Sequence, residues 1–136
     1  MSIKSWIVRL ACAALAVWGL VVVFPACNTP FIPLPPPGNP TFSPIEVPEP
    51  MGGTRTVWEA RGGPSNVMGE AKVLVFNTNA GSGVIVRAQP DGSYVAGQLE
   101  GQEGDRIQIS YETKDRRAGP VICRPLVRGE SSADCP

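Results

Sequence analysis

The chain has 136 residues, a formal net charge of zero and no histidine. Its 12 basic residues balance 12 acidic ones, so the basic surface that nucleic-acid phosphates require is absent and no nucleic-acid partner is expected. Histidine is the commonest general base and metal ligand, and its absence removes every Ser-His and Cys-His nucleophile. The composition therefore argues against an enzyme, and no cofactor, metal or small-molecule substrate is expected.

The amino-terminal segment 1–26 has the features of an export signal. Lys4 and Arg9 form a cationic head, Leu10–Ala26 is an apolar run, and the small Ala26 precedes Cys27. This arrangement resembles a bacterial lipoprotein signal, which implies cleavage before Cys27 and attachment of a diacylglyceryl group to its thiol. The alternative is an uncleaved membrane anchor, because the apolar run is at the short limit for spanning a bilayer core.

A proline-dense segment, residues 27–53, follows the signal. Proline recurs throughout the stretch from Pro25 to Pro50 and includes the triplet Pro35-Pro36-Pro37. Proline fixes φ and removes a backbone donor, so we expect neither a helix nor a central strand here. An extended polyproline II linker of this length could hold a domain roughly 70–80 Å from the membrane. We interpret the segment as a spacer. A ligand for a proline-recognising partner, through the P-x-x-P registers around Pro33–Pro36, is the alternative.

Residues 54–136 have the pattern of one small all-β domain. Apolar runs are short, β-branched and aromatic residues recur with a period of two, and turn residues return about every 8–15 positions. No connection is long enough for a βαβ unit, so the sheet is expected to be antiparallel and to form a β-sandwich or a small barrel. Aromatic residues within the strands are expected in the core: Trp58, Phe76, Tyr94 and Tyr111. About six strands are predicted, around Trp58, Val73–Phe76, Val84–Val86, Tyr94–Leu99, Ile107–Tyr111 and Val121–Cys123.

Part of this domain carries a family resemblance. A strand with Val73 and Val75 is followed by the turn Asp91-Gly92-Ser93-Tyr94, and Gly104-Asp105 leads into a strand with Ile107 and Ile109. These features resemble bacterial Ig-like and carboxypeptidase-regulatory-like β-sandwich repeats. The resemblance implies a structural, spacer or binding module and does not imply catalysis. The turns also make physical sense, because Asp and Gly suit tight hairpins and Asp105 can accept bonds from backbone amides.

If the protein is exported, its four cysteines have different roles. Cys12 is lost with the signal and Cys27 carries the lipid, so Cys123 and Cys135 remain. An oxidising compartment favours pairing them, which would close the tail Arg124–Asp134 onto the last strand. Closing a loop of this size stabilises a domain by roughly 2–3 kcal/mol.

Two further groups are candidate sites. Glu100, Glu103 and Asp105 share one loop and could offer oxygens to calcium, but the D-x-D-x-D-G spacing of a dedicated loop is absent and solvated turn carboxylates are commoner. The triplet Asp115-Arg116-Arg117 forms a charged hairpin tip, a candidate contact loop for an acidic surface such as lipid head groups. The alternative for the tip is simple solvation.

These features together predict a lipid-anchored protein of the bacterial cell envelope, on the outer membrane or the periplasmic face of the inner membrane of a Gram-negative cell. It is expected to act without catalysis, as a structural or protein-binding module whose partners are the membrane, through the lipid on Cys27, and other envelope proteins. The alternative function is a small periplasmic inhibitor of an envelope-directed enzyme such as lysozyme. An inhibitor would present one rigid loop, either the 104–118 hairpin or the Cys123–Cys135 loop, to a cleft.

Overall fold

The computed structural model describes residues 32–135 of the chain. Within this range the fold is all-β, with two antiparallel four-stranded sheets packed as a small β-sandwich and no helix. The predicted fold class is therefore confirmed, with eight strands among the described residues where about six were expected. The strands are β1 (Thr41–Pro48), β2 (Thr54–Gly62), β3 (Lys72–Asn77), β4 (Ser82–Arg87), β5 (Tyr94–Leu99), β6 (Arg106–Glu112), β7 (Ile122–Pro125) and β8 (Gly129–Glu130).

The two sheets have the strand orders β5-β2-β1-β8 and β4-β3-β6-β7, called here the first and the second sheet. In the second sheet β3 pairs with β6 without interruption from Lys72–Glu112 to Asn77–Ile107. The alternate residues Val73 and Val75 point inward and are fully buried. Because side chains alternate across a strand, the period of two in the sequence places one apolar face of each sheet in the core.

The aromatic residues occupy two different environments. Trp58, Tyr94 and Tyr111 are buried in the core, as predicted. The prediction was wrong for Phe76, which is half-buried on the outer face of the second sheet. There its ring lies over Gly83, where a Cβ atom would come within 2.8 Å of the ring. Phe76 follows Val75 directly, so the alternation that buries Val75 turns Phe76 outward.

The sandwich has two ends that matter for function. The proximal end, where the chain enters the domain, carries the segment 33–40 and the loops 63–71, 88–93 and 113–121. The distal end carries the turns 49–53 and 78–81 and the loop 100–105. Backbone hydrogen bonds join neighbouring proximal loops, as from Ser65 N to Asp91 O at 2.7 Å and from Glu70 N to Gln89 O at 3.1 Å.

The expectation that residues 27–53 form an extended polyproline II linker is wrong for Thr41–Pro48. This segment is β1, paired with β2 from Thr41–Arg61 to Pro48–Thr54. Its prolines are tolerated because β8 pairs only with Thr41 and Phe42, so the outer side of β1 is a sheet edge beyond those two residues. A proline at a sheet edge costs no ladder hydrogen bond when its missing N–H would have faced solvent. The inward Phe42 then closes the core.

The residues before β1 are also part of the folded unit, which begins at Pro33. Leu34 packs against the core, and Pro37 and Pro40 are buried. The hydroxyl of Tyr111 donates a hydrogen bond to the carbonyl oxygen of Pro35 at 2.7 Å. Little of the predicted linker is therefore free of the domain, and residues 33–53 belong to the sandwich.

The tail after β7 is tied to both sheets. Cys123 in β7 forms a disulfide with Cys135, with a Cα–Cα distance of 5.4 Å, so the predicted pairing is present. Between the two cysteines the chain buries Leu126 and Ser131 and adds β8 to the first sheet. The Ser131 hydroxyl donates to the Pro125 carbonyl at 2.9 Å. The disulfide loop therefore closes one side of the sandwich.

Candidate functional site

The predicted contact loop lies at the tip between β6 and β7, at the proximal end. Asp115, Arg116 and Arg117 are all exposed there. Thr113 closes the tip, because its N–H donates to the carbonyl of Arg117 at 2.9 Å and its carbonyl accepts from Arg116 N at 2.9 Å. Arg116 has a φ of 58°, which lies in the left-handed region that tight turns require. Two backbone hydrogen bonds therefore fix the backbone conformation of the tip that carries Arg116.

Arg116 meets basic residues from two strands of the second sheet. An open depression is lined by Arg116 together with Lys72, Arg87, Lys114 and acidic neighbours. Lys72 lies directly opposite Arg87 in the β3–β4 pair. Like charges directly opposite each other are unfavourable in a sheet, so this juxtaposition favours a nearby anion. Lys72, Arg87, Lys114 and Arg116 are called the basic cluster below.

Two carboxylates neutralise part of the basic cluster. Lys114 forms an ion pair with Glu70, and that hydrogen bond and the positive charge of Lys114 hold the pKa of the Glu70 carboxyl below its ordinary value. Glu112 lies opposite Lys72 on β6. Four basic residues against two acidic ones leave the depression with a formal charge of +2. Both members of the Lys114–Glu70 pair are well exposed, so this pair contributes little to stability.

An apolar stripe crosses the outer face of the second sheet beside this cluster. It consists of Leu74, Ile85 and Val121, whose exposed fractions are 38%, 70% and 61%. Leu74 and Ile85 are directly paired across β3 and β4, and all three residues line one shallow groove with Tyr111. The polar Ser110, opposite Leu74 on β6, lines the same groove. Exposed apolar residues that lie together on one face mark interaction surfaces more often than singly scattered ones do. This face can therefore bury apolar surface against another molecule.

The acidic loop at the distal end is organised by internal hydrogen bonds. The Asp105 carboxylate accepts from the Gln102 N–H at 2.9 Å and from the Asn77 side-chain amide at 2.8 Å. The backbone-binding role predicted for Asp105 is therefore confirmed. Among residues 32–135 no group of three or more His, Cys, Asp or Glu side chains is placed to hold a metal ion. The loop that carries Glu100 and Glu103 is held by hydrogen bonds from the Asn77 side-chain amide to the Glu100 carbonyl and to the Asp105 carboxylate.

The remaining predicted site residues divide into described and undescribed positions. Cys123 and Cys135 serve as the structural disulfide described above. Cys27 lies outside the described residues, as do the signal 1–26 and the beginning of the linker. Among the residues that are described, no helix is long and apolar enough to span a membrane.

Comparison with protein-family models, with curated proteins and with solved structures finds no match to this chain. The resemblances to bacterial lipoproteins and to Ig-like repeats therefore remain predictions from the sequence.

Sequence reasoning missed the apolar stripe and the basic residues that lie beside Arg116. Leu74 and Ile85 each sit in an unbroken apolar run, where a strict alternation would place a polar residue. That continuity was a usable signal, because a strand that is apolar at every position has an apolar outer face as well as an inner one. The meeting of Arg116 with Lys72 and Arg87 carried no such signal, since it depends on the register of three strands.

Proposed function

We propose that this protein is a lipid-anchored component of the bacterial cell envelope that acts without catalysis, by binding another envelope protein through the apolar stripe. The observation that carries the proposal is the exposure of Leu74, Ile85 and Val121 together on one sheet face. Burying aliphatic side chains of this size contributes about 25 cal/mol per Å² of apolar surface removed from water. A partner that covers the stripe gains this free energy.

The export signal supports the envelope location. The cationic head, the apolar run and the small residue before Cys27 favour a lipid anchor on the outer membrane or on the periplasmic face of the inner membrane. The Cys123–Cys135 disulfide suits an oxidising compartment outside the cytoplasm. An Ig-like module on a membrane tether is consistent with this role, and binding of a partner needs no catalytic group.

The proposal is tested by photocrosslinking in living cells. A photoreactive amino acid placed at position 85 is expected to yield a defined adduct with one envelope protein. Position 95 is the matched control, because Val95 is also an exposed apolar strand residue, 51% accessible, but belongs to the first sheet. The substitution Ile85→Glu should abolish co-purification of the crosslinked partner, whereas Val95→Glu should preserve it. Equal adducts at both positions, or none at position 85, would contradict the proposal.

The alternative function, an inhibitor of an envelope-directed enzyme, now depends on one loop. The Cys123–Cys135 loop buries Leu126 and Ser131 against the sandwich, so it is poorly suited to entering a cleft. The 104–118 hairpin contains β6, and its projecting part is the tip around Arg116. An inhibitor would lose activity on Arg116→Ala and retain it on Ile85→Glu. The binding module would show the opposite pattern.

A further inference from the structure

The chain between the proposed lipid and the domain is much shorter than the proline content suggests. The folded unit begins at Pro33, and its first residues are held by the packing of Leu34 and by the hydrogen bond from Tyr111 to Pro35. Only the segment 28–32 then separates Cys27 from Pro33. At no more than about 3.3–3.6 Å per residue it reaches roughly 20 Å.

A tether of this length restricts how the domain can turn. A domain of about 100 residues has a radius of gyration near 13 Å, so it is roughly 35 Å across. An inverted orientation, with the proximal end farthest from the bilayer, would need a reach of roughly 35 Å and is excluded, because the attachment point lies at the proximal end. The tether exit is beside Tyr111, and the next residue along β6 is Glu112, which lines the basic cluster. The basic cluster and the tether thus share one end of the molecule.

The charge distribution matches this geometry. The depression that contains the basic cluster has a formal charge of +2. The distal loop Glu100–Asp105 carries three carboxylates and no basic residue of its own, although Glu100 pairs with Arg55. An anionic bilayer surface attracts this depression and repels the distal loop, and each basic residue near such a surface contributes about a fivefold preference.

We propose that the proximal end of the sandwich, through Lys72, Arg87 and Arg116, binds the anionic phospholipid head groups of the membrane to which the chain is tethered. This inference rests on the proposed function only in requiring that the chain be attached to a membrane at or before Cys27, by lipid or by a retained anchor. The domain then stands on the bilayer with its distal end outward. The apolar stripe lies on a side face, where it remains open to a protein partner.

The test measures which end of the membrane-attached protein meets the head groups. The full protein, purified from membranes, is reconstituted into vesicles of phosphatidylcholine alone or of equimolar phosphatidylcholine and phosphatidylglycerol. A fluorescent amino acid at position 115 reports the proximal end, and one at position 51 reports the distal end, where Met51 is fully exposed in the β1–β2 turn. Nitroxide-labelled head groups serve as the quencher.

The expected result is strong quenching at position 115 and weak quenching at position 51, with the difference larger on the anionic vesicles and reduced by high salt. The triple variant Lys72→Gln/Arg87→Gln/Arg116→Gln should lower this preference at least about tenfold on anionic vesicles. A control triple variant changes the net charge equally away from the proximal end, through Arg55→Gln, Arg106→Gln and Arg128→Gln. This control should not lower the preference, because it makes the distal end more negative and leaves the basic cluster intact.

The outcomes separate the inference from the proposed function. Equal quenching at both positions in a vesicle-bound protein would overturn the orientation and leave membrane anchoring intact. The same conclusion would follow if both triple variants had equal effects. A protein that does not associate with either kind of vesicle would overturn membrane attachment as well.

Discussion

Asn77 offers the sharpest test of how the distal end is held together. It is a fully buried polar residue at the end of β3. Its side-chain amide donates to the Glu100 carbonyl and to the Asp105 carboxylate, both at 2.8 Å. Its side-chain oxygen accepts from the Asn79 N–H at 2.9 Å and from the Ala80 N–H at 3.1 Å. One side chain therefore joins the β3–β4 turn to the β5–β6 loop.

The substitution Asn77→Ala removes all four hydrogen bonds. Each is worth about 0.5–1.5 kcal/mol net, and some of the released partners lie near the surface and can bind water instead, so we expect the free energy of unfolding to fall by about 3 kcal/mol. For a domain of this size that corresponds to a decrease in Tm of roughly 12–24 °C. Asn77→Asp should be at least as damaging, because it replaces the donating amide with a second carboxylate facing Asp105.

The assay is thermal and urea unfolding followed by circular dichroism. Thr78→Ala is the matched control, since Thr78 is the next residue, is exposed and makes one side-chain hydrogen bond, to the Arg106 carbonyl at 3.1 Å. It should cost no more than about 0.5 kcal/mol. Equal stability of the Asn77→Ala and Thr78→Ala variants would contradict the bridging role of Asn77.

Three further predictions concern the tyrosines and the disulfide. Tyr111→Phe should lower the free energy of unfolding by about 1 kcal/mol, because it removes the hydrogen bond to the Pro35 carbonyl. Tyr94→Phe should be neutral or stabilising, because the buried Tyr94 hydroxyl has no hydrogen-bond partner among the described residues. Equal effects of the two variants in urea unfolding would contradict this difference. Burial raises the pKa of Tyr94 above its ordinary value near 10. Its folded pKa exceeds the unfolded one, so stability should be intact below about pH 10 and decline as pH rises further, which absorbance titration of tyrosinate alongside circular dichroism can follow. A Cys123→Ser/Cys135→Ser double variant should lose about 2–3 kcal/mol in urea unfolding, and an unchanged midpoint would show that the tail contacts hold without the bond.

The sequence predicted the strands that carry a recognisable apolar run. β2 to β7 were all expected, because short runs rich in β-branched or aromatic residues mark them and turn residues separate them. β1 was missed because its prolines argue against a strand, and the edge position that makes Pro44 acceptable depends on how short β8 is. β8 was missed because two residues are too few to show any pattern.

The candidate site was predictable only in its local parts. The charged tip around Arg116 and the pairing of Cys123 with Cys135 follow from local residue types and the cysteine count. The meeting of Arg116 with Arg87 depends on strand order and register, which no short segment specifies. The docking of Pro35 on Tyr111 joins residues 76 positions apart, and nothing in either local sequence indicates it.

Lipid attachment at Cys27 is tested most directly by the intact mass of the protein from the membrane fraction under non-reducing conditions. A lipid-anchored protein should have a mass equal to residues Cys27–Pro136 plus acyl chains, less two hydrogens for the disulfide between Cys123 and Cys135. A full-length mass without acyl chains would contradict lipid attachment and would make Leu10–Ala26 a retained anchor.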